Sequence, residues 1–260
     1  MTEPLPPGVA RLTYVGHGTV LIETGGARIL TDPLLRRRMG PLFRRGPLPD
    51  PALLADLDAV LISHLHIDHL DAPSLRRLDP GTPVVVPTHG ARLLRQIGFS
   101  DVRTLRPRDT SEVGGLRVEA TASWHRGKRY PMTQAGDALG YLVGDGPTFY
   151  FAGDTGLFPG LSSLAGRVDV ALLPISGWGT TLPGDHLDPL GAAKALASVR
   201  PAIAVPIHWG VYYPPGMLAV YRDHDVKPPR KFSRYAAMVA PEVEVRVLQP
   251  GESTVIAPAS

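Results

Sequence analysis

Short apolar runs, bounded by glycine, proline and polar residues, recur along the 260-residue chain. Three of these runs in the opening segment predict strands, at residues 11–15, 20–23 and 27–31. The pair Gly25-Gly26 predicts a hairpin turn between the second and third of them. A further apolar run at 59–62 is typical of a buried strand, and it delivers the chain to Ser63.

The rest of the chain continues with short strands and interspersed helices. Asp-Pro pairs at 50–51 and 188–189 are typical helix starts, and Thr88 is expected to cap a helix. The predicted helices are 52–57, a short one from Ala72-Pro73, 91–97, 189–197, 217–222 and 233–239. The further predicted strands are 83–86, 116–121, 139–143, 148–152, 170–174 and 203–206, with a final short pair near the C-terminus. This order indicates an α/β fold in which two sheets pack on each other with helices outside.

Composition narrows the class of protein. Hydrophobic residues make up 43% of the chain and charged residues 20%, which suits one globular domain over residues 1–260. The net charge of +3 is too small to predict a nucleic-acid partner. There is no cysteine, so disulfides, thiol nucleophiles and thiolate metal sites are excluded. We see no secretory leader and no apolar run long enough for a membrane span, and we expect a cytoplasmic protein.

The segment from Ser63 to Asp71 carries three histidines and two aspartates in nine residues. In a helix, His64 and His66 would point to different sides, whereas in an extended stretch residues i and i+2 share a face. These two imidazoles can therefore bind one metal ion if the chain here is a loop that leaves a strand. Asp68 and His69 would turn toward a second ion. The alternative is a surface loop rich in histidine, which this density of potential ligands does not favour.

Two ions need more ligands than this segment supplies. Three candidates follow apolar strands: His125, Asp154 and His208. Strand ends that converge at one edge of an α/β sandwich commonly carry the site. Imidazole suits zinc and similar ions, while a carboxylate can bridge two of them. We expect two divalent ions, zinc first, with manganese and iron as alternatives.

The set His64-x-His66-x-Asp68-His69, followed by His125, Asp154 and His208, resembles the signature of the metallo-β-lactamase superfamily. The closest resemblance is to the N-acyl-phosphatidylethanolamine phospholipase D and ascorbate-phosphate lactonase group. It rests on Gly16-His17-Gly18-Thr19, Leu30-Thr31-Asp32-Pro33, Ser63 to Asp71, Phe151 to Gly156, Asp185 to Pro189 and Ile207 to Gly210.

The resemblance implies an αββα sandwich and a metal-bridging hydroxide as the nucleophile. It assigns His64, His66 and His125 to the first ion, Asp68, His69 and His208 to the second, and Asp154 to both. Asp68 and His186 are the catalytic candidates, and His186 would donate a proton to the leaving group or bind a phosphoryl oxygen. The alternative for His186 is a structural residue that caps the helix starting near Pro189.

The expected substrate is a small anionic molecule, most simply a phosphodiester or another phosphate-containing ester. A lactone or acyl ester is the alternative, because the same hydroxide could attack a carbonyl. A nuclease and a non-catalytic metal-binding protein are further alternatives. The aspartate bridge and the absence of cysteine depart from true β-lactamases, and the chain lacks the phospholipase's long N-terminal extension. Antibiotics and membrane phospholipids are therefore not the expected substrates.

Several other residues lie close to these motifs. His17 is interpreted as structural, bonding nearby backbone. Trp124, Trp178 and Trp209 lie beside the site segments, where they could wall a pocket, but we interpret them as core. The arginines Arg36, Arg37, Arg38, Arg44 and Arg45 are interpreted as a solvated loop, with steering of an anionic substrate as the alternative.

Overall fold

A computed structural model describes residues 5–127, 136–144, 146–177, 182, 184–220, 222–223 and 225–257. Its strands are β1 (Ala10–Gly16), β2 (Thr19–Thr24), β3 (Ala27–Thr31), β4 (Arg38–Met39), β5 (Leu42–Arg44), β6 (Ala59–Leu61), β7 (Val84–Pro87), β8 (Val102–Leu105), β9 (Thr110–Val113), β10 (Leu116–Gly127), β11 (Gly136–Val143), β12 (Phe149–Phe151), β13 (Val170–Pro174), β14 (Ile203–Ile207), β15 (Tyr212–Tyr213), β16 (Glu244–Val245) and β17 (Ser253–Ile256). Its α-helices are α1 (Ala72–Leu75), α2 (Ala91–Ile97), α3 (Pro189–Val199), α4 (Met217–Val220) and α5 (Lys227–Val239). Short 3-10 helices occupy Pro51–Leu54, Thr88–Gly90 and Pro159–Leu164.

Two mixed sheets contain most of these strands. The first has the order β17-β1-β2-β3-β6-β7-β8, and the second has the order β16-β14-β13-β12-β11-β10-β9. In the first sheet β3, β6, β7 and β8 run parallel, while β1 and β2 form an antiparallel hairpin. In the second sheet β12, β13, β14 and β16 run parallel. Strands that share a direction also share the edge at which they end.

The core lies between the sheets and continues under the helices. Alternate residues of β6 face opposite ways: Ala59 and Leu61 join the central cluster, while Val60 and Ile62 join a second cluster. That second cluster includes Leu75 at the end of α1 and Leu94 of α2, so these helices cover the first sheet. Helices α3 and α5 pack on each other, and α3 also contacts β13 of the second sheet. The predicted layered α/β sandwich with helices outside is confirmed.

Most predicted elements are present, with local differences that have physical causes. The prediction of Thr88 as a helix cap is wrong, because residues 88–90 form a 3-10 turn and α2 starts after Gly90 without a side-chain cap. Helix α5 starts at Lys227, six residues earlier than 233–239, with proline in its first turn. Proline lacks the N–H that a first turn leaves unbonded, so it fits this position.

The arginine-rich segment is not a loop, although Arg37, Arg38 and Arg45 are exposed. It forms the hairpin β4–β5, which pairs with β15 in a third, small sheet. Arg36 donates to Asp71 Oδ1 at 2.6 Å, and the buried Arg44 donates to the Val15 carbonyl at 2.6 Å. Arg45 pairs with Asp225. Arg36, Arg44 and Arg45 make tertiary contacts with residues distant in sequence, and the local sequence did not indicate these contacts.

The strand directions bring the site segments to one edge of the sandwich. In the first sheet β1, β3 and β6 end there, and in the second sheet β10, β12 and β14 do.

Within the described ranges, no helix has the length and apolar character that crossing a bilayer requires.

Candidate metal centre

Three histidines converge where β6 and β10 end. His64 Nε2 lies 2.9 Å from His66 Nδ1, and His66 Nδ1 lies 3.2 Å from His125 Nε2. In tetrahedral zinc sites Zn–N is about 2.0–2.1 Å, which places ligand nitrogens roughly 3.3 Å apart. The expected loop that leaves a strand is observed, since residues 62–66 lie outside helices and strands and follow β6. We call these three rings with Asp154 the first ligand group.

A bulge in β10 turns His125 into this group. Ala122 pairs with Leu139 and Arg126 with Asp137, so the pairing shifts by two residues between them. Bulges re-aim side chains and are frequent next to active sites. The apolar pattern predicted this strand only to Thr121, because residues beyond it face the site rather than the core.

A second group lies beside the first. His69 Nε2 is 3.2 Å from His208 Nε2, and Asp68 Oδ2 is 3.4 and 3.6 Å from these two nitrogens. Asp154 faces both groups, with Oδ2 at 4.0 Å from His64 Nε2 and 3.4 Å from His69 Nε2. All seven residues proposed as ligands from the sequence therefore lie together in space.

The outward nitrogens of four of these rings are bonded to acceptors. His125 Nδ1 donates to the Asp185 carbonyl at 3.1 Å, and His208 Nδ1 donates to the Ser176 carbonyl at 2.8 Å. Because a carbonyl only accepts, each neutral ring carries its proton on Nδ1 and turns the lone pair of Nε2 toward the centre. This outer support is typical of metal-binding histidines.

Asp32 gives the same support to one ring of each group. Its buried carboxylate accepts from the Ser63 hydroxyl at 2.5 Å and from His69 Nδ1 at 2.6 Å. Since the Ser63 proton is used on Asp32, Ser63 Oγ accepts from His64 Nδ1 at 3.0 Å. The sequence reasoning gave Asp32 no role, although its place directly after β3 was a usable signal.

The histidines of the first group are neutral because they are buried. Burial lowers the pKa of His125 to about 4 and the pKa of His64 well below its ordinary value. A neutral imidazole is the form that binds a metal ion.

In the second group, nearby carboxylates favour protonation of His69 in the metal-free protein. Burial by itself would lower the pKa of His69, but the charges of Asp154, Asp68 and Asp32 raise this pKa well above its ordinary value. Burial also opposes ionisation of Asp154, yet His208 and His69 lower the pKa of that carboxyl well below its ordinary value.

The residues fit a metal-binding site. Three buried carboxylates crowd together here, and buried negative charge requires a compensating cation. Asp154 Oδ1 is buried, and no described residue donates a hydrogen bond to it. Such an orphan acceptor, on a carboxylate that faces both ligand groups, matches a carboxylate that binds cations.

His17, Asp32 and His208 adopt left-handed backbone conformations, with φ of +59°, +32° and +61°. Non-glycine residues in this region are uncommon, and they cluster at functional sites. The interpretation of His17 as a structural residue that bonds nearby backbone misses a contact with the site, since its Nε2 lies 2.9 Å from Asp68 Oδ2. Its position in a short glycine-flanked turn after β1 was the available signal.

A cleft of about 740 Å³ opens over the first group, and its lining includes Trp124, Arg126, Asp185 and His186. His186 Nε2 lies 3.6 Å from Asp154 Oδ2, and its Nδ1 lies 3.2 Å from Asp185 Oδ1. The alternative role for His186 as a helix cap is wrong, because Asp188 caps α3 by accepting from Gly191 N.

The tryptophans beside the site segments differ in their surroundings. Trp209 is buried and stacks on Tyr14, with ring centroids 6.0 Å apart, as expected of a core residue. Trp124 is 61% exposed and lines the cleft, so its interpretation as core is wrong. Trp178 lies outside the described residues.

Comparison with known proteins agrees with this geometry. Residues 27–209 match the family model described as "Beta-lactamase superfamily domain", a range that contains all seven proposed ligands. A relative from Methanopyrus kandleri, named UPF0173 metal-dependent hydrolase, is 32% identical over 251 residues, covering 94% of this chain and 98% of the relative. The chain therefore belongs to the β-lactamase superfamily and, within it, to the UPF0173 family of metal-dependent hydrolases.

Solved structures give the same fold. Igni18, a metallo hydrolase from Ignicoccus hospitalis, matches with a TM-score of 0.71 and 25% identity, covering 95% of this chain and 98% of that protein. An isothiocyanate hydrolase from Delia radicum gut bacteria matches with a TM-score of 0.72 and 22% identity, covering 96% of this chain and all of that protein. At this identity the second match concerns the fold alone.

Proposed function

We propose that this protein is a hydrolase with two divalent metal ions, acting on a phosphodiester or another phosphate-containing ester. The proposed ligands are His64, His66 and His125 for the first ion and Asp68, His69 and His208 for the second, with Asp154 shared. The support is the convergence of two ligand groups on one carboxylate, with the lone pairs of the supported rings directed inward.

Two divalent ions, when bound, supply an activated water and neutralise charge on the substrate. The chain's own residues hold the ligands in place and shield them. Asp32 and Ser63 fix one ring in each group, while Asp68 and Asp154 contribute negative charge in a buried setting. Zinc is the proposed ion because imidazole and carboxylate ligands suit it, and manganese or iron are the alternatives.

The observation that supports a phosphate-ester substrate is the pair of nitrogen donors in the cleft over the first group. His186 Nε2 is adjacent to Asp154, and the exposed Arg126 lines the same cleft. Guanidinium groups bind phosphate oxygens with paired hydrogen bonds, so Arg126 can hold a non-bridging oxygen of the substrate.

His186 is the proposed proton donor. Its Nδ1 donates to the Asp185 carboxylate, which orients the ring so that Nε2 lies toward Asp154. From that position Nε2 donates its proton to the departing oxygen of the ester. In this proposal Asp68, the other catalytic candidate, contributes to catalysis as a ligand of the second ion.

Lactone or acyl-ester hydrolysis is the second candidate, and the indole of Trp124 favours it. This side chain is 61% exposed inside the cleft, where it offers an apolar surface to a ring or acyl chain. The same ligand groups could serve attack on a carbonyl.

The two candidates are separated by turnover of a chromogenic phosphodiester and a chromogenic lactone with metal-loaded protein. We expect cleavage of the diester and its loss in His64→Ala. In Arg126→Gln we expect KM for the diester to rise about tenfold or more, since a hydrogen bond to a charged group contributes roughly 1.5–3 kcal/mol. The neutral lactone provides the matched control for this variant.

Cleavage of the lactone alone, with the diester untouched, would make the chemistry acyl hydrolysis. A diester KM unchanged in Arg126→Gln would remove Arg126 from the substrate site. Undiminished activity in His64→Ala would contradict the proposed metal assignment itself.

A further inference from the structure

We propose that His17 is a positioning residue of the second ligand group, where its imidazole holds the Asp68 carboxylate in the orientation that binds the second metal ion. His17 is absent from the ligand set that the sequence suggested. The inference rests on the metal assignment of the proposed function, and it adds a residue from a different part of the chain.

The first support is the contact itself. His17 Nε2 lies 2.9 Å from Asp68 Oδ2, and the two side chains are both buried. Because a carboxylate only accepts, the imidazole donates through Nε2–H. Oδ2 is also the oxygen that faces His69 Nε2 and His208 Nε2, at 3.4 and 3.6 Å. The hydrogen bond from His17 therefore acts on the atom that completes the second group.

The second support is the rigidity of the turn that carries His17. The His17 N–H donates to the Tyr14 hydroxyl at 3.1 Å, and its carbonyl accepts from His208 N at 2.8 Å. The Tyr14 hydroxyl in turn donates to the Trp209 carbonyl at 2.8 Å. The backbone of residue 17 is thus bonded to the segment that delivers His208, so the two histidines move together.

The third support is how tightly the turn packs on the second group. The rings of His17 and His208 lie 3.8 Å apart between centroids. A Cβ at Gly18 would lie 3.3 Å from both Cε1 and Nδ1 of His69, so the glycine permits this close approach. The turn contacts three members of the group, and the His17 side chain adds a polar contact to one of them, Asp68.

Asp68 needs such a partner because it lies in the loop between β6 and α1, outside regular structure. A carboxylate in a loop can rotate about its side-chain bonds unless a hydrogen bond fixes it. Groups that orient metal ligands typically change metal affinity by 10–100-fold when they are removed.

The test measures metal content and affinity directly. Wild type, His17→Ala, His17→Gln and the exposed-histidine control His89→Gln are stripped with chelator and titrated with Zn²⁺ or Co²⁺. Metal per chain is read by elemental analysis, and Co²⁺ absorption reports the coordination of each site. The glutamine amide can donate a hydrogen bond from nearly the position of the imidazole Nε2–H.

We expect His17→Ala to retain the first ion and to bind the second about 10–100-fold more weakly. His17→Gln should recover most of that affinity, and His89→Gln should match the wild type. Two ions bound with unchanged affinity in His17→Ala would overturn the inference. Failure of His17→Gln to recover any affinity, in a variant whose thermal melting shows that it folds, would also overturn a positioning role.

The proposed function fails separately. If wild-type protein bound no metal, the metal assignment would be lost, whatever the variants did. If wild type bound two ions and His17→Ala bound them equally well, only the role of His17 would be lost.

Discussion

Asp154 is the residue that joins the two ligand groups. Its Oδ2 lies 3.4 Å from His69 Nε2 and its Oδ1 lies 3.5 Å from His208 Nε2, while the first group faces it from the other side. A buried carboxylate between two sets of imidazoles neutralises charge for both. A change at this residue should therefore affect both sites, unlike a change at any one histidine.

We expect Asp154→Asn to lower the affinity for both ions and to reduce turnover by about a hundredfold or more, because removing the shared charge weakens both sites at once. Metal per chain and steady-state turnover measure this. The exposed Asp223→Asn is the control for loss of one negative charge. A variant that binds two ions as tightly as the wild type contradicts the shared role.

Asp32 supports the centre without facing it. Its carboxylate accepts from Ser63 N at 2.7 Å, from Ser63 Oγ and from His69 Nδ1, so it receives three donors in a fully buried position. An amide at this position would turn its own N–H groups toward one or more of those donors.

We expect Asp32→Asn to destabilise the metal-free protein by about 1–3 kcal/mol, because a buried donor loses its acceptor. Urea denaturation measures the free energy of unfolding. The control is Asp188→Asn at the N-cap of α3, where an asparagine side chain still accepts from Gly191 N and should leave stability nearly unchanged. Equal stabilities for the two variants would show that Asp32 is not a hub of hydrogen bonds.

Turns at the strand ends set the position of the ligands. After β12 the chain turns at Gly153, with φ of +59°, and places Asp154 in the centre. A Cβ at Gly153 would lie 2.5 Å from Ser63 Cβ, so this turn packs directly on the residue that precedes His64. The two sheets meet at this contact.

We expect Gly153→Ala to lower the free energy of unfolding by several kcal/mol and to reduce metal affinity, because both the backbone and Ser63 must shift. Gly166→Ala is the matched control, since Gly166 has φ of +73° and open space where a Cβ would lie. It should show the backbone strain alone, about 1–2 kcal/mol. Unaltered metal affinity in a folded Gly153→Ala protein would refute the coupling between turn and site.

At the scale of the whole molecule, buried titratable groups make stability depend on pH. Burial lowers the pKa values of His17, His64, His66 and His125, so these residues bind protons more weakly in the folded state than in the unfolded state. Their contribution is present above the unfolded pKa of about 6.5 and is lost as the pH falls toward about 4.

His69 and His208 act in the opposite direction. Burial by itself would lower their pKa values, but nearby carboxylates outweigh it and raise these pKa values. Their contribution is present below about 6.5 and is lost as the pH rises through the folded pKa.

We therefore expect the metal-free protein to be most stable near neutral pH, with stability falling on both sides. Urea unfolding between pH 4.5 and 9 measures this, and a profile that rises steadily toward pH 4.5 would contradict the assignment of the buried neutral histidines. The metal-loaded protein should lose stability more steeply in acid, because protons compete with metal for the same ring nitrogens.

The sequence by itself determined the layered sandwich and most of its strands. The predicted run 27–31 matches β3 residue for residue. The run 170–174 matches β13 in the same way, because a strand buried on both faces must be apolar along its length. The chemical identity of the candidate ligands was also readable. Three histidines and two aspartates in nine residues, with further candidates after apolar strands, have few uses other than metal binding.

Only the tertiary structure decided which groups support those ligands and what faces the substrate. His17 and Asp32 meet Asp68 and His69 across separations of 51 and 37 residues, and no local pattern specifies such a contact. Likewise, Arg44 pairs with Tyr212 of β15 and Arg45 with Asp225, far along the chain. The reason is physical: hydrophobic periodicity records which face of an element is buried, whereas hydrogen bonds between strand ends depend on the order and direction in which the strands assemble.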